Sequence, residues 1–389
     1  MTIFERDSAV IAPTYARFPV AITSGSGSLL YDENGKRYID MGSGIGVTAF
    51  GHADHEWVAA VTDQLLRVSH TSNLYYTEPC VRLAELLTER TGLSRVFFSN
   101  SGAEANECAI KAARKYAQTK HGEDRFAIVT LENSFHGRTL TTLAATGQAH
   151  YHELFNPLTP GFYSGSATDL DALTALCKEK NAAAVMIECI RGEGGVLPLD
   201  ADFAKGLLEF CRSEDILLIV DEVQTGNGRT GALYCYMNYG ITPDIVTTAK
   251  GLGGGLPIGA TLLGEKVKDV FAYGDHGSTF GGNPAAAAGA VSIISRIDDA
   301  MLAEVRRKSE LAVAYLSGKK GITEVCGMGL MLGISTARAA RDIVRECIES
   351  GVLCLTAKDK VRLLPALNIP DDVLLEALDV IASVAAKDL

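Results

Sequence analysis

Short apolar segments alternate with helical segments through the middle of this 389-residue chain, and no other feature limits its fold as strongly. The apolar segments predict five strands, at residues 95–98, 127–131, 183–187, 216–220 and 245–247. Their nearly continuous apolar character is typical of a parallel sheet buried on both faces. Between the first two, residues 103–116 repeat alanine at helical spacing, as a packed amphipathic helix does. The alternation predicts an α/β fold with a large, mostly parallel sheet.

The pattern changes after Pro284. A long helical region is followed by a predicted strand at 325–334, a helix at about 337–350, and strands near 352–355 and 361–364, which together predict a smaller α+β domain. Residues 24–31 and 36–40 predict a hairpin over the turn 32–35. We therefore expect an N-terminal segment, 1–55, that packs with the small domain, a large α/β domain over 56–284, and the small domain over 285–389.

Composition excludes several classes of protein. The net charge is -11, whereas nucleic-acid and anionic-membrane partners need a basic surface, so we expect neither partner. Residues 1–10 do not resemble a secretory signal, and no apolar run is long enough to span a bilayer. Nine cysteines without a Cys-x-x-Cys pair are typical of reduced thiols in a cytoplasmic enzyme.

Polar residues follow the predicted strands, where an open parallel sheet binds its ligands. The segment after the first strand begins a helix whose free amides can hold a phosphate, although a Ser-Gly step is also an ordinary helix cap. An aromatic ring and a guanidinium follow the second strand, and core packing and a surface ion pair are their simpler explanations. The groups are Ser99-Asn100-Ser101-Gly102-Ala103, Phe135-His136-Gly137-Arg138, Asp221-Glu222-Val223-Gln224 and Lys250-Gly251-Leu252-Gly253-Gly254-Gly255.

Asp221 and Lys250 are the strongest candidates for chemistry. A buried carboxylate needs a cationic partner or several donors, and a protonated pyridine nitrogen is such a partner. Lys250 precedes its glycines, unlike the lysine of a phosphate-binding Walker loop, and is placed as a Schiff-base former. One strand-helix crossover separates the two, so we expect them on opposite sides of one cleft.

Two other patterns carry less weight. The glycines at 42, 44 and 46 imitate part of a dinucleotide fingerprint. The third glycine is not at the offset that the fingerprint requires, and the acid that should follow it is missing. His52 and His55 have a spacing that metal ligands use, yet no carboxylate or thiol cluster accompanies them, so we expect no metal site.

Motifs along nearly the whole chain resemble the class III pyridoxal-phosphate aminotransferases of fold type I, and within them the acetylornithine branch. The motifs are Thr14-Tyr15-Ala16-Arg17-Phe18-Pro19, Ser72-Asn73-Leu74-Tyr75-Tyr76, Asn100-Ser101-Gly102-Ala103-Glu104-Ala105, Phe135-His136-Gly137-Arg138, Gly192-Glu193-Gly194-Gly195, Asp221-Glu222-Val223-Gln224-Thr225-Gly226, Gly228-Arg229-Thr230-Gly231, Lys250, and Ser278-Thr279-Phe280-Gly281-Gly282-Asn283-Pro284. The resemblance makes 56–284 the cofactor-binding domain.

The resemblance also implies roles at the matching positions. Lys250 would hold pyridoxal 5'-phosphate as a Schiff base and carry protons, while Asp221 would keep the pyridine nitrogen protonated. Gln224 would reach the phenolic oxygen of the cofactor. The further cofactor-binding residues are Gly102 and Ala103 at the phosphate, Phe135 and Val223 on the two ring faces, Glu222 beside Asp221, and Thr279 reaching in from a second subunit of a homodimer.

For the substrates, the resemblance implies transfer of the distal amino group of N2-acetyl-L-ornithine to 2-oxoglutarate, as in arginine biosynthesis. Arg138 and Arg362 would grip carboxylates. Glu193 would pair with Arg362 and release it when the acceptor binds. Ser278 and Tyr15 complete the predicted substrate site.

Several alternatives remain beside this interpretation. Ornithine, succinylornithine and 4-aminobutyrate are possible donors on the same scaffold. A racemase or a decarboxylase is a different reaction class, and a non-catalytic pyridoxal-phosphate-binding protein is a more distant alternative.

One segment departs from the family pattern. The family shows Glu-Pro, a hydrophobic residue and then Gln-Gly-Glu, whereas this chain has Glu188-Cys189-Ile190-Arg191-Gly192-Glu193. We expect Arg191 to point into solvent. If it points inward, it would pair with Glu193 or add a carboxylate contact.

Overall fold

The computed structural model describes residues 1–387. The helices in that part of the chain are α1 Ile3–Val10, α2 Ser43–Gly46, α3 His55–Arg67, α4 Glu78–Thr91, α5 Gly102–His121, α6 Leu140–Ala145, α7 Leu170–Glu179, α8 Ala201–Ser213, α9 Pro284–Arg296, α10 Asp299–Leu316, α11 Ala340–Glu349 and α12 Asp371–Ala385. The strands are β1 Ile22–Ser26, β2 Leu29–Asp32, β3 Arg37–Asp40, β4 Arg95–Ser99, β5 Ala127–Leu131, β6 Phe162–Gly165, β7 Ala182–Ile187, β8 Ile190–Arg191, β9 Leu197–Pro198, β10 Leu217–Asp221, β11 Ile245–Thr248, β12 Gly259–Leu263, β13 Ile322–Met328, β14 Met331–Thr336, β15 Val352–Leu353, β16 Leu355–Ala357 and β17 Lys360–Leu363.

A seven-stranded sheet in the order β4-β12-β11-β10-β7-β5-β6 forms the centre of the fold. All five predicted strands belong to it, and the predicted α/β class with a mostly parallel sheet is confirmed. β12 runs antiparallel to both of its neighbours, β11 and β4. It and the edge strand β6 are absent from the prediction. A glycine-rich segment precedes β12 and conceals its short apolar run, and β6 is short and mostly not buried.

Helix α5 covers one face of this sheet. It is longer at both ends than the predicted 103–116 and begins at Gly102, where the Ser101 side chain accepts a hydrogen bond from the Glu104 amide at 3.2 Å. Its alanines pack against β11, β12 and β7, together with Ile110. This close approach holds the start of the helix at the carboxyl edge of the sheet.

The N-terminal sheet differs in detail from the prediction. Residues 24–31 are not one strand: Gly27, with φ of 56°, turns the chain between β1 and β2, and Ser26 pairs with Leu29. The β2–β3 hairpin follows as predicted. β3 then pairs in parallel with β15, with Ile39 opposite Val352, so the first residues share a sheet with the C-terminal part of the chain.

A four-stranded sheet, β13-β14-β17-β16, forms the C-terminal part. The strand predicted at 325–334 is wrong, because it is a hairpin that turns at Gly329, where φ is 58°. A Cβ at Gly329 would lie 2.5 Å from the carbonyl oxygen of Arg229, so this turn requires glycine. The buried Arg229 guanidinium donates to the carbonyl oxygens of Leu330 and Pro365 and connects this sheet to the loop after β10.

Helix α9 lies on the boundary between the predicted domains. It packs against α3 and α4, both within the predicted large domain, although the boundary proposed at 284 assigns it to the small one. The division into 1–55, 56–284 and 285–389 therefore stays a proposal. Within residues 1–387, no helix is long and apolar enough to cross a bilayer.

Candidate active site

A cavity of about 600 Å³ opens at the carboxyl ends of the central strands. Residues that follow β4, β5, β7, β10 and β11 meet there, as expected for an open α/β sheet. The predicted residues that line it are Tyr15, Gly102, Ala103, Phe135, Arg138, Asp221, Val223, Gln224 and Lys250. Asn106, His136 and Glu188 also line it and were not predicted.

The start of α5 forms one wall of the cavity. The first amides of a helix have no partner within the helix, and Gly102 and Ala103 present theirs at the cavity. A Cβ at Gly102 would lie 2.6 Å from Cγ1 of Val223. Glycine therefore allows Val223 to lie directly against the helix start, next to a site suited to an anion.

Asp221 is buried at the end of β10 and is held by three groups. Its Oδ2 accepts a hydrogen bond from Nδ2 of Asn106 at 2.7 Å and lies 2.9 Å from Nδ1 of His136. Its Oδ1 accepts from the Val223 amide at 3.0 Å. Thr247 donates to Asn106 at 2.6 Å and fixes the amide orientation. The carboxylate thus has one orientation, directed at the cavity.

Lys250 follows β11, is half-buried and has a left-handed backbone, with φ of 47°. Such a conformation costs a non-glycine residue about 1 kcal/mol or more and is common at functional sites. Burial lowers the pKa of the Lys250 amine, against the opposing charges of Glu193 and Asp221. Within the described chain its Nζ has no carboxylate within ion-pair distance, so no ion pair holds it in the ammonium form.

Glu193, Gln224 and Arg362 form a connected group beside Lys250. Nη1 of Arg362 lies 2.5 Å from Oε1 of Glu193 and 3.1 Å from Oε1 of Gln224, and Nε2 of Gln224 donates to Glu193 at 3.3 Å. Burial alone would raise the pKa of Glu193, but the Arg362 charge holds it below its ordinary value. Nε of Arg362 is buried and has no partner within residues 1–387.

The expectation that Arg191 points into solvent is wrong. Its side chain is buried, and Nη1 donates to the carbonyl oxygen of Glu132 at 3.3 Å. Burial lowers its pKa, and the charges of Glu188 and Glu132 oppose that shift. The inward alternative in which it pairs with Glu193 does not hold either, since Glu193 binds Arg362 and Gln224.

Glu188 lies deeper in the same cavity. It accepts hydrogen bonds from the amides of Phe135 at 2.8 Å and Gly192 at 3.4 Å. Burial, opposed by the charge of His136, raises its pKa to about 7.

Three predicted residues lie away from this cavity. Glu222 points into the core, where Oε2 accepts from the Thr225 hydroxyl at 2.5 Å and Oε1 from the Tyr236 amide at 2.8 Å. Ser278 binds Asn100 at 3.2 Å, and Thr279 is exposed beside it. In this single chain the structure does not bring these three side chains to the others.

Arg138 and Tyr15 lie at the rim of the cavity. Both are exposed, and the Arg138 guanidinium lies 4.2 Å from the centre of the Tyr151 ring and 5.5 Å from that of Phe135. The aromatic rings hold the cation over the entrance without neutralising it.

Sequence reasoning missed Asn106 and His136. Asn106 is a polar residue on the alanine-rich face of α5, and a polar residue on a buried helical face is a signal for a buried partner. His136 stood inside a quoted motif, but its partner is 85 residues away and no spacing reveals it.

The metal alternative finds no support in the described part of the chain, where no group of three or more His, Cys, Asp or Glu residues is placed to hold an ion. His52 instead lies 2.8 Å from the Asp40 carboxylate.

Comparisons with known proteins identify a family with which the chain shares nearly its whole length. The family model described as aminotransferase class-III matches residues 10–385. The acetylornithine aminotransferase of Haemophilus ducreyi is 47% identical over 387 residues, covering 99% of this chain and 98% of that protein. The succinylornithine transaminase of Salmonella enteritidis is 44% identical over 379 residues, 95% of this chain and 93% of that protein.

A solved structure is similarly close. An ornithine aminotransferase of Toxoplasma gondii, with partial occupancy of pyridoxal phosphate at its active site, superposes with a TM-score of 0.93 at 33% identity, covering 98% of this chain and 93% of that one.

Proposed function

The chain belongs to the class III aminotransferases, and from that premise we propose that it transfers the distal amino group of N2-acetyl-L-ornithine to 2-oxoglutarate, with pyridoxal phosphate as its cofactor. One observation supports this proposal above all. Lys250, the Asp221 carboxylate and the N-terminus of α5 with its free amides line the same cavity. The similarity to acetylornithine aminotransferases over nearly the full length supports the choice of donor and a place in arginine biosynthesis.

The cavity fits the cofactor. When bound, pyridoxal phosphate supplies an aldehyde that condenses with amines and a ring that accepts electrons. The amides of Gly102 and Ala103 would hold its phosphate, since the wall there lacks a Cβ and offers free donors. Phe135 and Val223 would hold the two ring faces.

Asp221, held in one orientation by its donors, would keep a proton on the ring nitrogen. Gln224 would contact the phenolic oxygen. Thr279 would reach the phosphate from a second subunit.

Lys250 would act as both nucleophile and proton carrier. Its lowered pKa leaves a fraction of neutral amine that can attack a carbonyl. Nζ would take the proton from the donor carbon that bears the amino group and would deliver it to the carbon of the bound cofactor rather than back to the donor. The charges of Glu193 and Asp221 near the amine stabilise it each time it becomes an ammonium.

The Glu193–Arg362 pair would let one pocket serve two substrates. With the pair closed, the charge of Arg362 is compensated and the pocket accepts the distal amine of the donor. A carboxylate of 2-oxoglutarate would displace Glu193 and take the two parallel hydrogen bonds that a guanidinium offers. Arg138 at the rim would bind the other carboxylate. Tyr15 would lie beside the substrate, and Ser278 would approach it next to Thr279 from the second subunit. Donor and acceptor would alternate in ping-pong fashion.

A panel of donors assayed against 2-oxoglutarate tests the substrate. N2-acetylornithine should give the highest kcat/KM among acetylornithine, succinylornithine, ornithine and 4-aminobutyrate. A higher value for free ornithine or 4-aminobutyrate would contradict the proposal. Stoichiometric formation of glutamate excludes a racemase or a decarboxylase.

N2-succinylornithine is the second candidate donor. The relative from Salmonella enteritidis with that activity in its name is 44% identical, close to the figure for acetylornithine relatives. The same panel decides between them, because the two donors differ only in the acyl group and its extra carboxylate.

The cofactor is tested optically. The purified protein should be yellow, and Lys250→Ala should remove the absorption band of the lysine-bound cofactor. A colourless wild-type protein that fails to bind added pyridoxal phosphate would refute the cofactor assignment.

We further propose a homodimer in the cytoplasm. Large apolar side chains that are exposed in the single chain support an interface with a second copy. They are Tyr15, Leu74, Tyr75, Tyr76 and Phe280. All nine cysteines are free, as is usual in a reducing compartment.

A further inference from the structure

Cys326 and Lys360 form a second cluster of reactive side chains, on the C-terminal sheet. Nζ of Lys360 lies 3.0 Å from Sγ of Cys326 and 3.1 Å from Oε2 of Glu324. Lys360 is 8% exposed, whereas Cys326 is half-buried and the Glu324 side chain is largely exposed. Small solutes can therefore reach the sulfur, while the ammonium beside it is only weakly screened by water. The transamination proposed above uses none of these three residues.

Cys326 differs from the other cysteines in this environment. Seven of the nine are buried, and only Cys80 and Cys326 are half-buried. Burial raises the pKa of the Cys80 thiol, and no cation opposes it. Cys326 has Lys360 at hydrogen-bond distance, and a nearby cation favours the thiolate, the reactive form of cysteine.

The sulfur also contacts the segment that carries Glu193. Sγ of Cys326 donates to the carbonyl oxygen of Val196 at 3.2 Å, and Val196 is held at φ of 54°. A Cβ at Gly333 would lie 2.9 Å from Cβ of Val196 and 3.1 Å from Sγ, so there is no spare room on that side. Lys360 lies two residues before Arg362 on β17, and alternate residues of a strand share a face. The cluster thus lies on the same face of the sheet as Arg362, next to the Glu193–Arg362 pair.

We infer that Cys326 is a site of reversible oxidation by hydroperoxides, activated by Lys360 and coupled through Val196 to the segment that carries Glu193. The thiolate sulfur attacks one peroxide oxygen, so that an S–O bond forms and the O–O bond breaks. Sulfur loses two electrons, and the departing hydroxide takes a proton from the Lys360 ammonium, which solvent then restores. The products are a sulfenic acid and water, or an alcohol from an organic peroxide.

We expect the added oxygen to point towards Lys360, whose ammonium can donate a hydrogen bond to it. Neither the thiolate nor the sulfenic acid carries a hydrogen on sulfur, so the carbonyl oxygen of Val196 loses the hydrogen bond that the resting thiol donates to it. The segment 193–196 then shifts relative to Arg362. A thiol reductant reverses the change, because sulfenic acids are reducible.

Labelling of the holoenzyme with dimedone after hydrogen peroxide treatment tests the site independently of activity. Peptide mass spectrometry should find Cys326 labelled several-fold faster than Cys80, since only Cys326 has an ammonium at hydrogen-bond distance from its sulfur. Cys326→Ser should remove this label and Cys80→Ser should keep it. Lys360→Met should slow it, and Lys360→Arg should preserve it. Equal labelling of Cys80 and Cys326, or an unaltered rate in Lys360→Met, would overturn the inference.

The coupling to Glu193 has its own test. Peroxide-treated wild type should lose about fivefold in kcat/KM for 2-oxoglutarate, the effect of one lost positioning hydrogen bond, and a thiol should restore it. Treated Cys326→Ser should be unaffected. Fully sulfenylated enzyme with unchanged kcat/KM would refute the coupling. Because labelling needs no substrate, failure of the donor assignment is distinguishable from failure of this site.

Discussion

Asp221 illustrates at the scale of a single residue how the site separates binding from chemistry. Its carboxylate is fixed by neighbours rather than by a ligand, so Asp221→Asn should retain the cofactor through the phosphate and ring contacts. Turnover should fall at least about a hundredfold, because the charge that holds a proton on the ring nitrogen is lost. The ratio of bound cofactor to protein and kcat measure the two effects.

A matched control for Asp221 is available. Asp244→Asn changes another poorly exposed acid, which binds the amide of Leu218 outside the cavity and should leave kcat unchanged. Wild-type turnover in Asp221→Asn would contradict the proposed role.

Glu222 predicts a pH dependence of stability. Burial raises its pKa from 4.5 to about 7, against the hydrogen bond from Thr225. Between these two pH values Glu222 is ionised in the unfolded chain but still protonated in the folded chain. The contribution of Glu222 to the free energy of unfolding is therefore fully present below pH 4.5 and is lost as the pH rises to about 7.

Glu222→Gln removes this loss. Relative to wild type, the variant should gain stability between about pH 5 and about pH 8, by about 3 kcal/mol at most. The unfolding temperatures of Glu222→Gln and of wild type, measured by calorimetry at about pH 5 and about pH 8, give this gain. Glu209→Gln, at an exposed position, is the control and should show no such difference. A pH-independent difference between Glu222→Gln and wild type would disprove this account.

Lys250 and Asp221 were predictable from the sequence because each directly follows an apolar strand, and strand ends meet at one edge of a sheet. Arg191 was not predictable. Charged residues are almost always exposed, and only the fold reveals that a backbone carbonyl 59 residues away accepts its hydrogen bond.

At the scale of elements, the packing of Val223 against the start of α5 requires that residue 102 is glycine and has no side-chain methyl group. Gly102→Ala would place a Cβ 2.6 Å from Val223, and such overpacking costs about 1–3 kcal/mol. We expect cofactor affinity to fall about tenfold or more, as measured by titration of the apoprotein. Gly102→Ala combined with Val223→Ala should recover most of it, with Val223→Ala alone as control. No recovery in the double variant would show that the clash is not the cause.

The sequence indicated most elements but not every boundary between them. Five strands of the central sheet were readable because they are nearly all apolar, and four of these, β5, β7, β10 and β11, are fully buried. The hairpins at Gly27 and Gly329 were read as single strands, since a glycine inside an apolar run marks a turn only when its φ is positive, and that depends on neighbours such as Arg229. β12 was missed because the glycine-rich segment 251–255 before it conceals its short apolar run.

At the scale of the whole molecule, a shared site predicts complementation between inactive variants. Lys250→Ala and Thr279→Ala should each have little activity. In a mixed dimer, one site would combine the intact Lys250 of one subunit with the intact Thr279 of its partner. Refolding the two variants together should restore activity to about a quarter of the sites. If Thr279 serves its own chain, the mixture will stay inactive.

The Glu193–Arg362 ion pair joins residues 169 positions apart, which has a consequence for how the protein is made. During synthesis the central sheet can form well before β17 leaves the ribosome, because its strands end by residue 263. Until then Glu193 lacks the cation that offsets its burial, and an unpaired buried charge is costly. A truncated chain would therefore keep this pocket open and hydrated, and the site would mature only as the last quarter of the protein docks.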